Sequence, residues 1–152
     1  MLCVVGLGYI GLPTALMLAA NGSEVVGVDC LPEVVASLRQ KRLTFREDGM
    51  AELFDRALER GIAFTTEYPE ADVYIISVPT PYDQKSKKVN MDYVAAAVKQ
   101  VLAVCPQDSV IVIESTVSPG SIDRHIRPLV AGNAKGVRLA HAPERIIPGS
   151  ML

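Results

Sequence analysis

The segment that decides the fold is Cys3-Val-Val-Gly-Leu-Gly-Tyr-Ile-Gly-Leu-Pro-Thr14, an apolar run that enters a glycine-rich turn. Gly6, Gly8 and Gly11 match G-x-G-x-x-G, the pattern that joins a strand to a helix around a dinucleotide pyrophosphate. The first glycine permits a tight turn, the second lets the phosphates approach the backbone, and the third lets the helix pack on the strand. Free N–H groups at the helix N-terminus then suit an anion without any basic side chain.

The second half of this pattern is an acidic residue at the end of the next predicted strand. Glu24-Val-Val-Gly-Val-Asp29 places Asp29 eighteen positions after Gly11, close to the interval of about twenty expected for a ribose-binding carboxylate. A plain glycine turn would leave this acid unexplained. Because a carboxylate repels a 2′-phosphate and residues 30–32 supply no cation, the motif predicts NAD rather than NADP as the cofactor.

The composition is typical of a single α/β domain. The chain has 152 residues, of which 49% are hydrophobic and 21% charged, enough apolar surface to cover both faces of a parallel sheet. A net charge of -2 favours neither nucleic acid nor a membrane surface as a partner. Cys3, Cys30 and Cys105 have no metal-binding spacing, so we expect core cysteines, no metal site and a reducing, cytoplasmic location.

The first 23 residues carry no charge and have the composition of an export signal or a membrane helix. However, no basic segment is present, and Pro13 would interrupt a membrane span. A strand, a turn and a helix explain the same apolarity. We therefore expect neither a membrane segment nor an export signal here.

Apolar periodicity predicts strands and helices in alternation along the chain. Strands are expected just before Gly6 and at residues 24–29, 62–65, 72–78, 109–115 and 137–140. Helices are expected at 9–21, 32–42, 50–60, 91–105 and from Ser118-Pro119 to an end or kink near Pro128. The lysine-rich stretch at 84–88 is expected to be a solvated loop. This alternation predicts a Rossmann-type α/β fold, a doubly wound parallel sheet of about six strands in the order 3-2-1-4-5-6 with helices on both faces.

Polar side chains follow the ends of several predicted strands. They are Asp29, Thr80, Glu114–Thr116 and His141–Arg145. Because the carboxyl ends of parallel strands meet at one crevice, we expect these residues to lie together. The hydroxyls of Thr80, Ser115 and Thr116 suit a ribose or a reacting oxygen, and Glu144 is the one carboxylate expected to act as a general base. Turn formation or helix capping would explain the same residues without any function.

Four motifs in this order resemble the amino-terminal domain of the nucleotide-sugar 6-dehydrogenases, the UDP-glucose/GDP-mannose dehydrogenase family. They are residues 5–15, Val78-Pro-Thr-Pro81, Glu114-Ser-Thr-Val117 with Pro119-Gly120, and Ala142-Pro-Glu-Arg-Ile-Ile-Pro-Gly149. The resemblance runs over almost the whole chain. It implies oxidation of the C6 alcohol of a sugar to a carboxylate in two NAD-dependent hydride transfers, through a thiohemiacetal and a thioester on a cysteine.

The resemblance also implies roles for individual residues. Those implied to bind NAD are Gly6, Gly8, Tyr9, Ile10, Gly11, Asp29, Val78, Pro79, Thr80, Ser115 and Thr116. Thr116 and Glu144 are the implied catalytic residues: Thr116 would position the water and the substrate oxygen, and Glu144 would act as the base in thioester hydrolysis. Those implied to contact the sugar nucleotide are Glu144, Arg145 and Ile146.

The closing segment bears on the substrate. Pro148 stands where the UDP-glucose enzymes of this family carry a second glutamate, so the resemblance favours a UDP-N-acetylhexosamine as substrate, with UDP-N-acetylmannosamine ahead of UDP-N-acetylglucosamine and UDP-glucose. Residues 1–152 contain no match to the family's central dimerisation helix, its carboxyl-terminal UDP-sugar-binding domain or its nucleophilic cysteine. We therefore expect this chain to be the NAD-binding domain of a homodimeric enzyme and to be inactive alone.

Two other functions are compatible with the glycine turn. Another dehydrogenase of the same fold, such as a β-hydroxyacid dehydrogenase, shares the turn but does not explain residues 142–149. A regulatory NAD-sensing module would bind the nucleotide without chemistry and would need neither Glu144 nor the turn at 114–116.

Overall fold

The computed structural model describes residues 1–85 and 87–145. A six-stranded sheet lies at its centre. The strands of this sheet are β1 (Leu2–Val5), β2 (Val25–Val28), β3 (Ala63–Thr65), β4 (Val73–Ile76), β7 (Val110–Ile113) and β8 (Arg138–His141), while β5 (Tyr82–Asp83) and β6 (Lys88–Val89) pair separately. The α-helices are α1 (Gly11–Ala20), α2 (Pro32–Arg39), α3 (Met50–Glu59), α4 (Asp92–Val104) and α5 (Arg127–Ala131).

The sheet is parallel throughout, and its strands follow the order β3-β2-β1-β4-β7-β8. This is the predicted doubly wound order 3-2-1-4-5-6 once the small β5-β6 pair is set aside, so the prediction is confirmed. The order reverses between β1 and β4, where the loops after the two strands diverge to opposite sides and leave a crevice. Any ligand site of the fold is expected there.

The strand register aligns the carboxyl ends of the strands. Val5 pairs with Val28 and with Ile76, Ile76 pairs with Ile113, and Ile113 pairs with His141. The residues that come directly after these pairs therefore lie side by side along one edge of the sheet. They are Gly6, Asp29, Ser77, Glu114 and Ala142.

Apolar layers cover both faces of the sheet because successive strand side chains point to opposite sides. In β1, Cys3 and Val5 pack into a cluster with α4 and the segment that leads into α5, whereas Val4 packs into a cluster with α1, α2 and α3. Within the described ranges 1–85 and 87–145, no helix is long and apolar enough to cross a bilayer.

The prediction for the lysine-rich stretch at 84–88 is a solvated loop. In the structure this stretch is part of a short antiparallel hairpin. Tyr82 pairs with Val89 and Asp83 with Lys88, and the Asn90 N–H donates to the Pro81 carbonyl at 2.9 Å. The described residues of the turn are exposed. The hairpin escaped prediction because strands of two residues leave no periodicity to detect.

The predicted interruption near Pro128 takes the form of a π-helical segment, Ile122–Ile126, that runs into α5. The Arg127 N–H donates to the Ile122 carbonyl five residues back. A proline has no N–H and crowds the preceding turn, and a widened turn relieves that conflict without ending the helix.

One prediction about the cysteines is wrong. Cys3 and Cys105 are buried as expected, but Cys30 is exposed. Cys30 comes two residues after the end of β2, beyond the layer that the helices cover, so its side chain has no core to enter.

Candidate cofactor site at the carboxyl edge of the sheet

In the glycine turn after β1, the fold requires glycine at two positions and would accept a larger residue at the third. Gly6 has φ +91, and a Cβ there would lie 2.7 Å from the Ser77 carbonyl oxygen. At Gly11 a Cβ would lie 1.8 Å from the Gly6 carbonyl oxygen, so only glycine fits. At Gly8 a Cβ would meet no atom within 4 Å. The protein itself does not need a glycine there, and the space beside its backbone is available to a ligand.

The amino end of α1 faces this open space, and its own first turn contributes no acid. No side chain caps it. Within the first turn the Leu12 N–H donates to the Gly8 carbonyl at 3.1 Å and Pro13 has no N–H, so the positive end of the helix dipole is the main attraction for an anion here. Together with the open backbone at Gly8, this arrangement fits a dinucleotide pyrophosphate.

Asp29 is fixed against the glycine turn by backbone hydrogen bonds. Its carboxylate accepts the Leu7 N–H at 2.8 Å and the Leu31 N–H at 2.9 Å. Each oxygen has a further lone pair available for a ribose hydroxyl. Asp29, the residue predicted to bind the ribose, thus lies beside the glycine turn. It also holds the backbone of that turn through the Leu7 N–H.

The loops after β4 and β7 are joined by two hydroxyl groups. Ser115 Oγ donates to the Val78 carbonyl at 2.7 Å, and Thr80 Oγ1 donates to the Thr116 carbonyl at 2.8 Å. Both hydroxyl protons are therefore used within the scaffold. Ser115 is buried, whereas the Thr116 side chain is exposed at the sheet edge. Pro79 lies between the two joined positions and is also exposed.

The segment after β8 is attached to the end of β7. The Ala142 N–H donates to the Ile113 carbonyl at 2.9 Å, and the Glu144 N–H donates to the Glu114 carbonyl at 3.3 Å. Glu144 is half-buried, and its carboxylate accepts the N–H of the exposed Arg145. The structure thus brings Glu144 and Arg145 to the same edge as Thr116. The predicted substrate contact Ile146 and the position 148 proline lie outside the described residues.

A second carboxylate, Glu114, lies at this edge, and sequence reasoning gave it no role. Its side chain is 9% exposed, and its carboxylate accepts hydrogen bonds from Thr14 Oγ1 at 2.9 Å and from Ser77 Oγ. Burial raises the pKa of Glu114, and the charge of Glu144 adds to that effect, while the two hydroxyl donors oppose it. The prediction that Glu144 acts as the general base stays a prediction, because both hydrogen bonds to the Glu114 carboxylate come from the scaffold. In the sequence, the feature that points to Glu114 is an acidic residue placed directly after a buried strand.

Phe45 also escaped prediction. Its ring stacks on Tyr9 of the glycine turn with the ring centroids 4.4 Å apart. Phe45 belongs to the loop between α2 and α3, and this loop lines a groove of about 610 Å³ together with the start of α3. No metal-binding cluster of His, Cys, Asp or Glu occurs in the part of the chain that the structure describes.

A parallel sheet in this order, an open glycine turn at an uncapped helix and an acid at the end of β2 define a Rossmann-type dinucleotide-binding domain. Residues 1–152 match the UDP-glucose/GDP-mannose dehydrogenase family, NAD binding domain. The chain belongs to this family, and NAD is its cofactor. The membership decides against the other dehydrogenases that share the glycine turn.

Similar proteins carry names from the same group. The chain is 41% identical over 154 residues to a UDP-N-acetyl-D-mannosamine dehydrogenase of Methanococcus aeolicus, covering 99% of this chain and 35% of that protein. A UDP-N-acetyl-mannosamine dehydrogenase structure from Staphylococcus aureus is 34% identical with a TM-score of 0.94, covering 99% of this chain and 38% of that one. A UDP-glucose dehydrogenase structure from Pyrobaculum islandicum is also 34% identical, with a TM-score of 0.87 and coverage of 99% and 37%. The chain thus spans about a third of the length of the curated relatives it matches.

Proposed function

We propose that this chain is the NAD-binding part of a nucleotide-sugar 6-dehydrogenase that oxidises a UDP-N-acetylhexosamine, with UDP-N-acetylmannosamine as the first candidate. The observation that carries the proposal is the position of Thr116 and Glu144 at neighbouring strand ends, on the same edge of the sheet as the open glycine turn. Relatives named for UDP-N-acetyl-D-mannosamine support the choice of sugar. UDP-N-acetylglucosamine and UDP-glucose are the alternatives.

The cofactor would lie along the carboxyl edge of the sheet. The amino end of α1 and the backbone at Gly6–Gly11 would bind the pyrophosphate, and Asp29 would accept hydrogen bonds from the adenosine ribose. The joined loops at Val78–Thr80 and Ser115–Thr116 would contact the middle of the cofactor and its nicotinamide end. Bound NAD supplies the acceptor for a hydride from the sugar C6 carbon.

Thr116 would position a water molecule at the reacting carbon, and Glu144 would remove a proton from it. Oxidation of an alcohol to a carboxylate removes two hydrides and adds one oxygen from water, so the water must be oriented and deprotonated. A half-buried carboxylate and an exposed hydroxyl at neighbouring strand ends are suited to this task. Arg145 and Ile146 would contact the sugar nucleotide.

The remaining parts of the enzyme would lie outside residues 1–152. Cys3 and Cys105 are buried in the same apolar cluster, and the exposed Cys30 directly follows Asp29, the proposed ribose ligand. None of the three therefore fits the nucleophile of a thioester mechanism. We propose that a carboxyl-terminal UDP-sugar-binding domain supplies that cysteine, that a central helix forms a homodimer, and that the enzyme works in the cytoplasm.

The test is NADH formation by the protein that carries this chain, with UDP-N-acetylmannosamine, UDP-N-acetylglucosamine and UDP-glucose offered separately. We expect two NADH per molecule of the first sugar. Glu144→Gln should lower turnover by about 10²- to 10⁴-fold without loss of NAD⁺ binding, whereas the matched change Glu59→Gln, at an exposed position on α3, should leave turnover unchanged. An NAD-sensing module would give no NADH with any sugar and would tolerate Glu144→Gln.

A further inference from the structure

Glu114 joins three separate parts of the chain through its side chain. Thr14 lies in the first turn of α1 and is 100 positions away in sequence, while Ser77 directly follows β4 and is 37 positions away. Both hydroxyls donate to the Glu114 carboxylate. One side chain therefore connects the helix behind the glycine turn to the ends of both β4 and β7.

The backbone of Glu114 adds a fourth part. Its N–H donates to the Ile76 carbonyl at 2.9 Å, and its carbonyl accepts the Glu144 N–H at 3.3 Å. Glu114 thus contacts α1 through its side chain and the segment that carries Glu144 through its backbone. A shift of Glu114 would move the amino end of α1 relative to Thr116 and Glu144.

Stability alone does not account for a carboxylate at this place. Glu114 is buried, and no cation pairs with it among residues 1–85 and 87–145. Burial of an acid that is satisfied only by hydroxyls costs stability, which is why burial raises its pKa. An apolar side chain would avoid that cost but would accept a hydrogen bond from neither hydroxyl, and features that cost stability concentrate at functional sites.

We propose that Glu114 is a positioning residue of the NAD site, holding the amino end of α1 in register with the loops after β7 and β8 through Thr14 and Ser77. The proposal rests on the cofactor site and not on the identity of the sugar. Because the pyrophosphate and the nicotinamide end of NAD contact different loops, a loss of register between those loops weakens the binding of the whole cofactor.

The experiment is isothermal titration calorimetry with NAD⁺ on a set of variants, with urea unfolding measured in parallel. Glu114→Ala removes both hydroxyl contacts and should raise the Kd for NAD⁺ about ten-fold. Glu114→Gln should stay within about two-fold of the unmodified protein, because its amide oxygen accepts from Thr14 and its amide nitrogen donates to Ser77 Oγ. Thr14→Val should weaken binding, and it should add little to Glu114→Ala.

Ser109→Ala is the matched control. Ser109 is buried at the opposite, amino-terminal end of β7 and donates to the Pro106 carbonyl at 2.9 Å and the Ala71 carbonyl at 3.2 Å. This change should lower the free energy of unfolding and leave the Kd for NAD⁺ unaltered. The proposal is overturned if Thr14→Val and Glu114→Ala bind NAD⁺ as the unmodified protein does, or if Ser109→Ala weakens binding equally. Since only NAD⁺ binding is measured, failure to oxidise a sugar leaves this result standing.

Discussion

Glycine serves two different purposes in the turn after β1, and substitution separates them. A Cβ at Gly11 would collide with the Gly6 carbonyl oxygen at 1.8 Å, whereas one at Gly8 would meet no protein atom within 4 Å. Gly11→Ala should therefore destabilise the protein by about 3 kcal/mol or more. Gly8→Ala should change the free energy of unfolding by less than about 0.5 kcal/mol.

The effect of Gly8→Ala should fall on the cofactor instead. The added methyl group occupies the space through which the pyrophosphate approaches the backbone, so the affinity for NAD⁺ should fall about ten-fold or more. Urea unfolding and calorimetry on the two variants give both quantities. Unchanged NAD⁺ affinity in Gly8→Ala would mean that the phosphates do not pass over this residue.

The pKa of Glu114 gives a pH dependence with a definite sign. Because burial and the Glu144 charge raise this pKa in the folded state, the folded protein binds more protons than the unfolded chain above about pH 4.3. Stability should then fall as pH rises from that value through the folded pKa. No other charge faces the carboxyl from the first turn of α1 or from residues 77–81.

Glu114→Gln removes this titration and keeps both hydroxyl contacts. The stability gained by the variant should therefore be absent near pH 4 and should grow toward neutral pH, where the unmodified protein carries the full penalty of a buried charge. Urea unfolding of both proteins at several pH values between about 4 and 8 measures the difference. A difference that is constant or shrinks with rising pH would contradict the assignment.

The three thiols should differ sharply in reactivity. Burial raises the pKa of Cys3 to about 12 and leaves its side chain fully covered, and Cys105 is also buried, while Cys30 is exposed. A disulfide reagent such as DTNB should modify one thiol quickly in the native protein and the other two only on unfolding. Cys30→Ser should abolish the fast phase, and a fast phase that survives the change would show that Cys3 or Cys105 becomes accessible in the native protein.

At the scale of elements, the sequence predicted what depends on local pattern. Each main strand and helix has its own apolar period, and right-handed crossovers then leave few strand orders, so the sheet order followed. The hairpin at 82–89 has strands too short for such a pattern. The Thr14–Glu114 contact could not be predicted for a different reason. It joins residues 100 positions apart, which become neighbours only when the strands pair in the folded sheet.

Gly27 shows how one strand supports the turn of another. In β2 a Cβ at this position would lie 2.9 Å from Leu7 Cδ2 and 3.0 Å from Phe64 Cδ1. Leu7 belongs to the glycine turn and donates its N–H to Asp29. Gly27→Ala should therefore destabilise the protein by about 1–3 kcal/mol and weaken NAD⁺ binding by displacing Leu7.

A second substitution tests that cause. Leu7→Val shortens the side chain that the new methyl group would strike, so the double variant should be more stable than the sum of the single effects predicts. Urea unfolding of the three variants measures this coupling. Strict additivity would show that the cost of Gly27→Ala arises elsewhere in β2.

At the scale of the whole molecule, the site consists of loops from five strands that share one edge because their last residues are in register. The motif-based prediction assigned the candidate site to the loops after β1, β2, β4, β7 and β8, and the strand register brings these loops to one edge. It could not find how they are connected, because Ser77, Glu114 and the Ser115–Val78 bond become neighbours only through sheet pairing. A ligand that spans these loops should therefore stabilise the entire domain.

NAD⁺ should accordingly raise the thermal stability of the protein by an amount set by the ratio of its free concentration to its Kd. At a free concentration of 100 Kd the expected gain is about 2.7 kcal/mol, which corresponds to a shift in Tm of roughly 5–11 °C for a domain of this size. NADP⁺ at the same concentration should give a much smaller shift, because the Asp29 carboxylate repels a 2′-phosphate. Differential scanning calorimetry with each nucleotide measures both shifts.

Asp29→Asn separates the charge of this residue from its shape. The amide keeps one oxygen that can accept the Leu7 N–H but removes the negative charge, so the shift with NAD⁺ should shrink while the shift with NADP⁺ rises toward it. The matched change Asp55→Asn, at an exposed position on α3, should alter neither. If Asp29→Asn preserved the full preference for NAD⁺, the discrimination between the two cofactors would have to come from a group other than the acid at the end of β2.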